Sequence, residues 1–164
     1  MQKRYKWWHA AALAVGANAV GALSAIPQDS KTIYEGWVRP AFAPPPWAFG
    51  PAWTLNNITS AYAGLRIINL PEDTPHRSTI LALEGFNWAM YPLNSPLFFG
   101  LKSPVLGATH TALCFGTTAV SAALTARTDK KAAVALLPRL AWLGLATALG
   151  VSIALDNPDP LFGE

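Results

Sequence analysis

The chain has 164 residues, 52% of them apolar and 13% charged, with seven Trp, one Cys and a formal net charge of +3. That length is enough for one domain, and the charge content is about half that of soluble domains, which points to a membrane protein. The lone Cys114 excludes an internal disulfide framework, and short basic clusters at segment ends suit membrane orientation rather than nucleic-acid binding.

Five apolar segments follow along the chain, at about residues 7–26, 46–70, 78–100, 104–126 and 132–155. Each approaches the roughly 20 residues that cross a bilayer as a helix. The expected architecture is therefore all-α: one integral membrane domain over 1–164, a bundle of five transmembrane helices with an outer first loop over 27–45. The first segment has two readings. MQKRYK, the apolar run and Ala22-Leu23-Ser24-Ala25 resemble a signal peptide with a small-residue cleavage site. Small residues at helical spacing (Ala12 and Gly16, Ala17 and Gly21) instead favour a retained helix that packs closely on a neighbour.

Basic residues orient the bundle. With the N-terminus on the cytoplasmic side, Lys3, Arg4, Lys6, Arg66, Arg77, Arg127, Lys130 and Lys131 fall inside, against Lys31, Arg39 and Lys102 outside. This asymmetry is the expected one, and it makes the protein multi-pass with the proline-rich stretch outside. The acidic tail (Asp156, Asp159, Glu164) also falls outside.

Four prolines, Pro40 and Pro44 to Pro46, lead into the second segment, which then opens on aromatics. Trp7, Trp8 and Trp47 sit at segment ends, where indoles settle at the lipid–water interface. Trp53, Trp88 and Trp142 lie deep within their segments. They either fill core volume or form a flat wall for a planar ligand. Phe49, Trp53 and Asn57 share one helical face at i, i+4, i+8, with Asn56 beside them. Amides in a membrane helix are costly unless they face the bundle interior or a polar cavity, so this stripe reads as a pocket wall.

The third segment adds Asn87 and Asn94, and Pro92 and Pro96 are expected to kink it. Glu84 and Arg139 each stand about seven residues into a segment that starts on the inner side, hence about 10 Å deep. Matched depth and opposite charge suggest an ion pair between the third and fifth segments. The alternative is separate snorkelling to the headgroups. In the fourth segment His110 is a haem ligand or a hydrogen-bonded core histidine, the latter favoured because no second His lies within the bundle. No phosphate loop, Cys/His metal spacing or Ser/His/Asp set is evident.

Residues 39–54, RPAFAPPPWAFGPAWT, resemble the first-loop and second-helix signature of the tryptophan-rich sensory protein family, which includes the translocator protein. The signature is a basic residue and Pro, an aromatic, Pro-Pro, Trp-x-Phe and Trp-Thr. The resemblance continues through Pro96-Leu97-Phe98-Phe99-Gly100, Leu137-Pro138 and Trp142, so it spans nearly the whole chain. It implies a five-helix bundle, a homodimer, and one ligand pocket beneath the first loop. Family ligands are porphyrins (protoporphyrin IX and haem), sterols and synthetic aromatic compounds, with no obligatory cofactor.

Some bacterial members promote light-dependent porphyrin breakdown through two pocket tryptophans, which match Trp53 and Trp142. A loop tyrosine over the pocket mouth matches Tyr34. The expected ligand-binding set is Tyr34, Phe49, Trp53, Asn57, Asn87, Tyr91 and Trp142. The chain departs from the family pattern at Tyr91, Asn94, Arg139 and Gly150, and it lacks the sterol motif at the end of the fifth helix. The expected function is regulatory or tetrapyrrole-handling ligand binding, with catalysis at most a secondary photoreaction. The competing expectation is a structural or assembly subunit bound to a partner in a larger membrane complex.

Overall fold

Prolines and polar caps set where the helices begin and end. The computed structural model describes residues 4–26 and 29–163, so Lys3, the loop residues 27 and 28, and Glu164 lie outside the described residues. Among the described residues six α-helices follow one another: α1 (Trp7–Ala25), α2 (Ser30–Gly36), α3 (Phe49–Ile68), α4 (Arg77–Met90), α5 (Pro104–Ala126) and α6 (Lys130–Asp156). Among the described residues there is no strand beyond one isolated bridge, Asp159 to Gly163.

Helix α5 starts at Ser103, whose side chain accepts from the Leu106 N–H, with Pro104 next in line. Proline suits that first helical position because its missing N–H would have no partner there. Helix α6 starts at Asp129, whose carboxylate accepts from the Lys131 and Ala132 N–H groups. The same carboxylate pairs with Arg66 at 2.8 Å, which ties the end of α3 to the start of α6.

The third apolar segment is not one continuous helix. After Met90 the chain tightens into a 3₁₀ turn at Tyr91–Leu93, then widens into a π turn at Pro96–Gly100. Pro92 and Pro96 cannot donate to the preceding turn, which accounts for the break. The loop after α1 also holds a short helix, α2, that its sequence composition does not announce.

Glycines permit the tightest approaches. A Cβ on Gly150 would lie 3.0 Å from the Ala108 Cα, so α5 and α6 cross almost backbone to backbone there. A Cβ on Gly107 would collide with the Phe98 ring.

Burial is layered along the bundle. At the end near the Arg127–Asp129 turn, Ala63, Ile67, Ile80, Ala122, Ala132 and Leu136 form an apolar cluster. At the α2 end a second cluster joins Tyr34, Leu149 and Ile153, with Trp37, Phe49, Phe98 and Phe99 packed against it. Between them lies a polar layer that includes Asn56, Asn57, Ser60, Glu84, Asn87, Thr118, Ser121 and Arg139, all buried.

The outside is the reverse: Val15 and Leu23 on α1, Leu55 and Ile58 on α3, Leu113 and Val120 on α5, and Val134 and Leu155 on α6 are exposed. Apolar surface on this scale is unusual for a soluble monomer, and buried amides with exposed aliphatics suit a lipid surround. Among the described residues, α6 alone is by itself long and apolar enough to cross a membrane. Helix α4 has only 14 residues, and α3 carries Asn56, Asn57 and Arg66.

Candidate ligand cavity under the first loop

A cavity of about 370 Å³ opens beneath α2, between α1, the start of α3 and the broken end of the α4 segment. That volume is within the usual range for small-molecule pockets. Its aromatic wall is Tyr34, Phe49, Trp53, Tyr91 and Phe99; Asn18, Thr54 and Asn94 contribute polar groups, and among the described residues Lys31 is the one charged residue lining it. The helical stripe of α3 explains part of this wall, because Phe49 and Trp53 are one turn apart on the same face.

The roof is held at several points. The Tyr34 hydroxyl donates to the Pro44 carbonyl at 2.8 Å, and the Arg39 guanidinium lies 4.8 Å from the centre of the Tyr34 ring. Burial pushes the Tyr34 phenol above its ordinary value, against the opposing pull of Arg39, so it remains a proton donor. Trp37 packs on Phe98 and Phe99. The Val38 N–H and C=O both bond the side-chain amide of Asn157, at 2.8 and 2.9 Å, which clasps the loop to the end of α6. A roof with four prolines also has little unfolded-state freedom to lose.

Two smaller spaces adjoin the main one. An inner cavity of about 20 Å³ is lined by Trp53, Asn57, Ser60, Asn87, Tyr91 and Arg139, among others. A side cavity of about 40 Å³ is lined by Phe49, Trp53, Phe98, Trp142 and Gly150, among others. Of the expected site residues, Tyr34, Phe49, Trp53 and Tyr91 therefore line the main cavity. Asn57 and Asn87 face the inner one, and Trp142 faces the side one.

Trp53 belongs to all three spaces. Its ring meets Tyr91 edge-on at 5.1 Å, while Trp142 meets Phe49 edge-on at 5.4 Å. The Trp142 indole N–H is buried without a partner. Asn18 and Lys31 escaped the sequence reading. Asn18 is the single amide in the first apolar segment, a signal that was available; it accepts from Asn57 at 3.3 Å.

The charged pair is formed. Arg139 donates through Nη2 to Glu84 Oε1 at 2.6 Å, and Ser121 donates to the same oxygen at 2.6 Å. Both side chains are inside the bundle, so snorkelling does not apply. His110 has both ring nitrogens engaged, Nδ1 with the Asn94 amide at 3.3 Å and Nε2 with the Met90 carbonyl at 3.1 Å. The assignment that satisfies both makes Nε2 the donor. That leaves no free nitrogen lone pair for iron and makes His110 a brace between α5 and the broken helix end.

The sequence model of the family described as "TspO/MBR family" matches residues 9–155. A tryptophan-rich protein TspO of Archaeoglobus fulgidus is 32% identical over 137 residues, covering 79% of this chain and 83% of the relative. The translocator protein homolog of Schizosaccharomyces pombe is 31% identical over 159 residues, covering 92% of each. The human translocator protein is 30% identical over 129 residues, covering 76% of this chain and 74% of its own.

Proposed function

This chain belongs to the TspO/MBR family of membrane proteins, and from that premise we propose that it binds a planar tetrapyrrole, protoporphyrin IX or haem, in the cavity beneath α2. The observation that carries the reading is the cavity wall itself, with Tyr34, Phe49, Trp53, Tyr91 and Phe99 around about 370 Å³ of space. Flat aromatic faces favour a flat aromatic guest. Lys31, a charged residue at the lining, suits the acidic arms of such a ligand. The role is regulatory or tetrapyrrole-handling.

The same reading takes the protein as a multi-pass bundle of five spans and a homodimer, with its N-terminus in the cytoplasm. Binding, rather than turnover, is the proposed activity. A light-driven side reaction would draw on Trp53 and Trp142, whose indoles can pass an electron to an excited porphyrin. An assembly subunit is the less favoured role. The tail that could reach a partner is bonded back onto its own bundle through Asn157 and Asp159.

Titration of the purified protein with protoporphyrin IX, followed by tryptophan fluorescence, tests the proposal. Saturable quenching is expected, weakened by Trp53→Phe combined with Trp142→Phe. Absent quenching, or quenching unchanged in the double variant, would remove the pocket from consideration.

A further inference from the structure

We infer that the inner cavity is a hydration site that holds one ordered water between Ser60 and Arg139. Two residues that line this space each carry a buried donor without a partner: the Ser60 hydroxyl, on a residue 1% exposed, and Arg139 Nε, on a residue 6% exposed. Arg139 uses Nη2 for Glu84, so the pair is single-pronged and leaves Nε–H unused. Buried donors of this kind are rarely left unmade, because stranding a charged one is the costlier case.

The space of about 20 Å³ takes one water and nothing larger. A water accepts both protons and turns one of its own toward the Asn57 amide, which lines the same space, while the Asn87 oxygen already accepts from Thr117 and Thr118. Charge decides against an anion. The Arg139 charge is already balanced by Glu84 at 2.6 Å, so a neutral acceptor fits where chloride would add an unpaired charge.

The position gives this water a use. Trp53 and Tyr91 line both the inner cavity and the ligand cavity, so their edge-on pair is the partition between the two. Asn57 bonds Asn18, which lines the ligand cavity, and also faces the inner one. The water thus completes a polar path from the ligand cavity to the buried ion pair. Tyr91 and Arg139, two positions where the chain departs from the family pattern, supply the partition and the main donor. The inference does not rest on the tetrapyrrole reading.

A crystal structure of the full chain, at a resolution that shows ordered waters, tests it directly. The expected result is one peak about 2.7–3.2 Å from both Arg139 Nε and Ser60 Oγ. An empty cavity overturns the inference, as does anomalous bromide density there after a halide soak. A second readout uses arginine-labelled protein in solution: the Arg139 Nε–H should show a cross-peak to water that weakens in Ser60→Ala. A resonance without that cross-peak would also overturn it.

Discussion

Glu84 and Arg139 are legible in the sequence because each breaks an apolar run at a matched depth. Removing either partner strands the other in the bundle. Glu84→Leu is expected to cost roughly 3–5 kcal/mol, and adding Arg139→Met should recover most of that loss. Denaturant unfolding of the three variants in detergent measures both changes; a double variant no better than the single would refute the coupling. The glycines divide in the same residue-by-residue way. Gly107→Ala drives a methyl into Phe98 and should destabilise by about 1–3 kcal/mol. Gly64→Ala meets nothing within 4 Å and should be neutral or stabilising by up to about 1 kcal/mol. Trp142 was less legible: its depth in the segment identifies a buried indole, but only the side chains around it place it in the side cavity rather than the main one.

Helix ends are where single side chains have the most leverage. Asp159, buried beyond the end of α6, accepts from the Ser103 hydroxyl at 2.6 Å and from the N–H groups of Val105, Leu161 and Phe162. Burial alone would raise its pKa, but these bonds outweigh that and hold the carboxyl below the ordinary aspartate range. A depressed folded pKa stabilises fully above the unfolded value and is lost as pH falls through the folded one. Asp159→Asn should therefore unfold at a lower temperature than the parent at pH 6, and the gap should close below about pH 4. Thermal scans of both proteins across that range provide the measurement, and a gap independent of pH would contradict the assignment. At this scale the sequence was readable where proline acts, as at Pro92 and Pro96. It was silent on α2, which has only seven residues and so too little periodicity to betray a helix.

Across the whole molecule, the apolar outside is what the composition foreshadowed, with few charges and many apolar residues in one domain. The number of spans was less readable, because Ala, Gly, Thr and Asn dilute the hydropathy of every long helix but α6. The proposed orientation places Lys102 outside and Lys130 in the cytoplasm. The single native thiol, Cys114, is buried, so cysteines introduced at those two positions can be labelled against little background. An impermeant maleimide applied to intact cells should modify Lys102→Cys at once and Lys130→Cys only after permeabilisation. The opposite pattern would reverse the topology.

The clasp between Val38 and Asn157 carries a further consequence, one of chemical ageing. Its two bonds need an amide: the nitrogen donates to the Val38 carbonyl and the oxygen accepts from the Val38 N–H. Conversion of Asn157 to aspartate would exchange the donor for a second acceptor and release the roof of the cavity. Such conversion ordinarily proceeds when the next residue's backbone N–H attacks the side-chain amide to close a cyclic imide. The next residue here is Pro158, whose nitrogen carries no hydrogen. The bond that keeps the loop shut is thus placed beside the one residue type that closes this route to deamidation.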